Sequence, residues 1–364
     1  MTEERETEAE WREAFSRRMA DILNAGAVNL AMAIGYRTRL FDVMDEMDCF
    51  AGSAEIAEAA GLDERYVREW LAVMATARVV DLASDGNAEK FRLPKAHGDF
   101  LTRRAGNANM GVYAQEIPLL TRTAYDAVTE AFTTGEGIPY ERYPRFQAFM
   151  SELGNMKHRQ TLVDVFLPSV DGGRLVERLR GGIDVLDLGC GEGVATRLMA
   201  EAFPKSRFVG LDLDEPAIQA ARAVSPPRSN LRFELRDAAH LKDDPALQAA
   251  FDYVAAFDAV HDQTRPLDIL RGVRHLLRPG GCFSMVDIAA ESGVAGNMEH
   301  PMGPMLYTVS LMHCMPVGRM DGGPGLGTMW GRQKAEAYLR EAGFAEIWVQ
   351  PVPEDPFNLH FLAR

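Results

Sequence analysis

Residues 183–193 read IDVLDLGCGEG, a short β run that enters a glycine turn, and a helical stretch, VATRLMAEAF, opens at Val194. Glycines at such a turn let the backbone come close to a ligand, and the helix that follows offers free N–H groups at its start. The spacing of Gly189, Gly191 and Gly193 is GxGxG, whereas a dinucleotide fingerprint is GxGxxG. A pyrophosphate would be repelled by Asp187 and Glu192 beside the turn. A cationic ligand would not.

Outward from this stretch the pattern alternates between short β runs and helices. The strands are IDVLDLG, SRFVGLDL, LRFELRD, FDYVAAFD, GCFSMVDI, AEIWVQ and NLHFLAR; helices such as EPAIQAARAV, PLDILRGVRHLL and RQKAEAYLREAG lie between them. The pattern predicts an α/β domain with a Rossmann-like, doubly wound, seven-stranded sheet. Only PVPEDPF separates the last two strands, too short for a crossover helix, so a C-terminal antiparallel hairpin is expected.

Acidic residues recur where these strands end. Asp212 and Leu213 follow the second strand, at the place of a ribose-binding carboxylate. Asp237 after the third is placed to accept from an adenine amino group, with Ala238 offering its N–H, and Phe257 and Asp258 close the fourth. A lone aspartate at such a place is a helix cap, but four in register point to a ligand. S-adenosylmethionine meets the requirement: it carries a sulfonium, an ammonium and a ribose diol. Asp187, Gly189, Gly191, Gly193, Asp212, Leu213, Asp237, Ala238, Phe257, Asp258 and Asp262 form the expected cofactor set, and no metal is expected.

The N-terminal third is different. From Trp11 to about Met47 apolar residues recur at helical spacing, with Gly35 read as a break between two half-buried helices. A short helix, a turn at Gly61, a helix capped by Asp63, and two strands around Val79 and Phe91 flanking SDGN then make a winged helix. Its second helix, DERYVREWLAVM, carries a net charge of −1, and residues 1–100 hold 12 Lys/Arg against 20 Asp/Glu. Docking on DNA would be opposed, and a packing or dimerisation module is expected. The whole chain, at 364 residues and −14, also lacks the basic surface that nucleic acid requires. The four cysteines, Cys49, Cys190, Cys282 and Cys314, have neither CxxC spacing nor close pairing, and no long apolar run occurs; a cytoplasmic protein without membrane contact is expected.

In combination these motifs resemble class I S-adenosylmethionine-dependent methyltransferases: DLGCGEG, Asp212, RDAAHL, and LLRPGG before the fifth strand. The N-terminal half resembles the winged helix of a bacterial, largely actinobacterial subgroup with stretches like RYVREWL, HDQ, MHCM and GLGTMWG. The resemblance implies a methyltransferase of a small-molecule acceptor, by O-methylation first and S- or N-methylation next, and a homodimer. The rival is a ligand-sensing winged-helix transcription regulator. The boundaries read as residues 1–104 for the winged-helix and dimerisation domain, 105–165 for a helical connector, and 166–364 for the cofactor-binding domain.

FDAVHDQ, residues 257–263, places His261 just past the fourth strand, where open α/β sheets bind ligands. The stretch is similar to the HDW of plant-type small-molecule O-methyltransferases, whose histidine is the base; Gln263 replaces the tryptophan. His261 is read as a general base or a structural cap, and Asp262 as orienting backbone or cofactor. Residues 289–330, with seven methionines, are too long for an ordinary loop and are expected to form a lid or pocket wall. His300, Tyr307 and His313 there are alternative acceptor-side groups, and Tyr140, Tyr143 and Phe146 are either packing or pocket lining.

Overall fold

The computed structural model describes residues 7–364 except 85, 87, 144, 145, 225 and 226. Two compact units divide the chain, Met1–Pro118 and Leu119–Arg364.

In the first unit a capping box between Thr7 and Glu10 starts a helix of 30 residues, Glu8–Arg37. It runs through Gly35 and stops only where Arg39 turns left-handed (φ 64°), so the expected break lies later in the chain. Gly35 serves close approach instead. A Cβ there would run into the Trp70 ring and come within 3.0 Å of Phe41, and the same indole donates to the Ala31 carbonyl at 2.8 Å. The N-terminal two thirds of the helix is exposed rather than half-buried: Trp11, Phe15, Ile22, Leu23 and Leu30 all face solvent.

The winged helix follows as read from the residues. Ser53–Ala60 ends at Gly61 (φ 64°), and Asp63 accepts from the Arg65 and Tyr66 amides at the start of Glu64–Thr76. Strands β1 (Asp81–Ser84) and β2 (Glu89–Arg92) pair antiparallel as the wing; Asp85 and Asn87 of the expected turn lie outside the described residues. Both arginines of the second helix are tied within it, Arg65 to Glu69 and Arg68 to Glu64. Its exposed face offers little free positive charge.

The second unit is built on a seven-stranded sheet: β3 (Asp184–Leu188), β4 (Arg207–Asp212), β5 (Leu231–Leu235), β6 (Phe251–Phe257), β7 (Leu277–Ile288), β8 (Ile347–Val352) and β9 (Asp355–Ala363). The order is β5-β4-β3-β6-β7-β9-β8, parallel up to β7 and antiparallel for β9 and β8. The closing hairpin is tighter than PVPEDPF suggests, because both strands extend into it and Glu354 makes the turn in the left-handed region (φ 61°). Successive strand residues go to opposite faces. Leu186, Leu188 and Val254 pack with Ile269, Leu270 and Val273 on one side, while Val185, Phe208 and Tyr253 pack with Leu175, Leu179 and Met199 on the other. The sheet reverses its direction of growth at β3, with β4 on one side and β6 on the other, so the carboxyl ends of these strands form a crevice.

Residues 289–330 fold onto this unit as a packed layer. The helix Gly303–Val309 passes into a π-helical turn, Ser310–Cys314, and then Met315–Gly318. Ile138 donates to the Pro316 carbonyl, the Tyr143 hydroxyl to the Met312 carbonyl, and the Gly327 amide to the carbonyl of His261. Among the described residues no helix is long and apolar enough to cross a membrane.

Candidate functional site

The glycine turn is fixed by the strand beside it. The amides of Gly189 and Cys190 both donate to the Leu211 carbonyl at the end of β4, at 2.8 and 3.0 Å. Gly189, Gly191 and Gly193 all have positive φ, and a Cβ on Gly193 would collide with the Phe233 ring. A Cβ on Gly189 would come 2.6 Å from that of Ala259, so the turn lies directly against the loop that carries His261. Gly191 alone of the three faces open space.

Asp212 closes the turn electrostatically. Its Oδ2 accepts from the Gly191 amide at 2.7 Å and its Oδ1 from the Asp214 amide at 2.9 Å. Burial raises its pKa even against these amides. Each oxygen keeps a lone pair, so the carboxylate still has capacity for a diol. Asp187 has a different place: it is buried under the turn, where Oδ2 accepts from the Thr196 hydroxyl at 2.5 Å and burial lifts its pKa to about 6. It anchors the helix Val194–Ala202 to β3. Asp237 caps the turn after β5 through the Ala239 amide and accepts from Arg265 at 3.0 Å, with Ala238 next to it; Leu213 is exposed beside Asp212.

Past β6 the charge is concentrated. Asp258 stands in the left-handed region (φ 48°) and accepts from Asn358, and Asp262 is bonded by Gln263; burial lifts each of these carboxyls to about 6. Phe257 meets the rings of His158 and Phe166 at 4.9 and 5.5 Å. His261 is buried, and its Nδ1 lies 2.9 Å from Oδ1 of Asp287, which the sequence reading missed. Burial works against a charge on this imidazole, yet the Asp287 carboxylate together with Cys314 outweighs it and holds the pKa well above the ordinary 6.5. Asp287 ends its strand as Asp212 and Asp258 end theirs, and that shared position was the signal available for finding it.

Of the alternative acceptor-side groups, His300 spends both ring nitrogens on its own segment, on the Ala289 carbonyl and the Met302 amide. The Tyr307 hydroxyl accepts from Asn297, within that same segment. His313 alone is brought to His261. It packs against Tyr140, Tyr143 and Phe146 with centroids at 5.7, 4.7 and 4.2 Å, and burial followed by the nearby His261 depresses its pKa to about 3. Tyr140, half-buried, lies in the field of Asp262, Asp212, Asp214 and Cys314, which places its phenol between the ribose-side acid and the histidine cluster.

These features suit a cationic ligand. Asp287 Oδ2 and Asn358 Oδ1 are buried acceptors with no partner among the described residues, and Asp258 and Asp262 add negative charge around the one imidazole. Gly191 provides the open cradle beside Asp212.

Comparison with known proteins agrees with this geometry. Residues 26–103 match the Rv2258c-like winged HTH domain, and residues 179–328 match a methyltransferase domain family. A Mycolicibacterium smegmatis protein named as an S-adenosylmethionine-dependent methyltransferase is 29% identical over 196 residues, 52% of this chain and 72% of that protein. A ubiquinone biosynthesis O-methyltransferase of Leptothrix cholodnii is 29% identical over 28% of this chain and 42% of its own length. Human N-acetylserotonin methyltransferase, solved in complex with SAM, has the same fold over 100% of this chain and 99% of its own (TM-score 0.68, 14% identity).

The His261–Asp287 pair carries a pH signature. Because the folded imidazole protonates above its ordinary 6.5, the pair stabilises the fold fully below about pH 6.5, and this contribution fades as pH rises through the folded value. Asp287→Asn is expected to cost about 3 kcal/mol at mildly acidic pH and distinctly less at alkaline pH. Urea unfolding at about pH 6 and about pH 9 measures this, and an equal penalty at both would refute the pairing.

Proposed function

The chain is an S-adenosylmethionine-dependent methyltransferase with an N-terminal winged-helix domain, and from that premise we propose that it methylates a hydroxyl of a small molecule with His261 as general base. The observation that carries this reading is the buried His261–Asp287 pair in a loop that touches the glycine turn at Gly189. The names of the relatives, which include O-methyltransferases, support oxygen over nitrogen or sulfur as acceptor atom.

When bound, the cofactor supplies a methyl group on a sulfonium, already an electrophile with a neutral leaving group. The protein's share is alignment, exclusion of water and disposal of one proton. The backbone at Gly189 to Gly193 would hold the methionine portion and Asp212 the ribose diol. Asp237, Ala238 and Leu213 would face the adenine. Phe257, Asp258 and Asp262 would border the methionine side, where their charge favours a cation. Asp287 fixes the tautomer and orientation of His261 and stabilises the imidazolium that proton removal creates. The same stabilisation means that His261 must shed its resting proton before it can act, so turnover is expected to rise with pH through its folded value.

Two variants test the assignment with radiolabelled cofactor and a panel of small phenols, catechols and thiols. His261→Ala is expected to lower turnover by about 10²- to 10⁴-fold and to abolish the rising limb of the pH profile; near-normal turnover would remove the base. Asp212→Ala is expected to weaken cofactor binding by about tenfold or more, since it takes away both the diol acceptor and the anchor of Gly191. Unchanged calorimetric affinity would refute the site.

A homodimer is part of the same reading. The exposed stripe Trp11, Phe15, Ile22, Leu23 and Leu30 lies on one long helix whose sequence is otherwise polar, and a second copy of the same helix is its natural cover. Sedimentation at micromolar concentration is expected to give a dimer for the wild type and a monomer for Leu23→Arg; a wild-type monomer would exclude it.

A further inference from the structure

Two buried groups beside His261 have no role in the chemistry just described. Asp287 occupies Nδ1 of His261, which leaves Nε2 as the nitrogen for the hydrogen bond that the imidazole makes with the Cys314 thiol. Cys314 Sγ in turn lies 3.4 Å from Nδ1 of His313. That ring is held by Tyr143 and Phe146, and Tyr143 is itself fixed by its bond to the Met312 carbonyl. Nε2 of His313 is buried without a partner among the described residues. A neutral His313 with its hydrogen on Nε2 presents Nδ1 as an acceptor, so the thiol hydrogen points to His313 and the sulfur lone pairs face His261. The result is a directed chain, Asp287 to His261 to Cys314 to His313, built from the end of β7, the loop after β6 and the π-helical turn Ser310–Cys314.

We propose that Cys314 is a positioning residue for the base: in the unliganded enzyme its sulfur holds the place on Nε2 of His261 that the acceptor's hydroxyl must take over, and His313 keeps it there. This rests on the reading of His261 as the base. The choice of a thiol follows from hydrogen-bond strength. Sulfur is a weak acceptor, strong enough to orient an N–H and weak enough to yield to a hydroxyl, whereas a carboxylate at the same place would not yield. The apolar collar of Tyr143, Phe146 and Met312 excludes water that would otherwise compete for Nε2.

The charged and titratable groups that face His261 are Asp287 from β7, Asp258 and Asp262 from its own loop, and Cys314 and His313 from the insertion. Removing the sulfur alone takes away one acceptor that favours the charged ring. The test is an NMR titration of the His261 Cε1–H in the full chain, its resonance assigned by its loss in His261→Ala, so that no acceptor need be known. Cys314→Ala is expected to lower the midpoint by about half a unit or more, a roughly threefold change in the protonation constant. Cys314→Ser, whose hydroxyl still donates to His313 and accepts from His261, is expected to restore it. His313→Phe, which keeps the ring stacking but frees the thiol, is expected to shift it in the same direction as Cys314→Ala.

Coincident midpoints for wild type and Cys314→Ala, in a variant that melts and binds cofactor normally, would overturn the proposal. If that variant does not fold, an unshifted midpoint in His313→Phe overturns it. A disabled His261→Ala beside unshifted midpoints removes only the role of Cys314. Near-normal turnover in His261→Ala removes the base, and the positioning role with it.

Discussion

The site depends on one short contact region, the grip of β4 on the glycine turn after β3. Two amides of the turn converge on the Leu211 carbonyl, and a third reaches the Asp212 carboxylate. A turn with three positive-φ glycines has large conformational entropy to lose, and these bonds restrict it to one shape. That shape brings Gly189 against Ala259 and leaves Gly191 facing open space. The position of the His261 loop relative to the cofactor cradle follows from it.

Around this grip the protein buries an unusual amount of acid. Asp187, Asp258, Asp262 and Asp287 are all withdrawn from water within a few strand ends, while His261 is the single basic partner among them. Burial of an unpaired carboxylate costs several kcal/mol, and the raised pKa values of three of these groups express that cost. A fold tolerates such strain where a ligand relieves it, and a sulfonium with an ammonium is the relief that this arrangement fits. Orphaned acceptors at Asp287 and Asn358 point the same way.

The winged-helix unit illustrates how one motif can be separated from the partner it commonly serves. Its helix Glu64–Thr76 has the capped geometry of a recognition helix, yet each arginine is paired with a glutamate one turn away. Gly35 lets the Trp70 ring lie against the long N-terminal helix and so joins the two halves of this unit. What the unit leaves exposed is an apolar stripe, which answers to a protein surface better than to a phosphate backbone.

The local pattern in the sequence was enough to determine the sheet, the winged helix and the strand-end acids, because period-2 and period-3.6 patterning, turn glycines and caps act over a few residues. It misread Gly35 for the same reason: the ring that needs the space belongs to Trp70, 35 residues away, and no local rule reveals a neighbour that distant. Tertiary structure alone decided the partners of His261. Asp287 lies 26 residues beyond it on an adjacent strand, and Cys314 and His313 reach it through a π-helical turn whose extra residue per turn has no signature in MHCM. A side chain's type is written in the sequence, but its protonation is set by what surrounds it, and the surroundings of this histidine come from three separated segments of the chain.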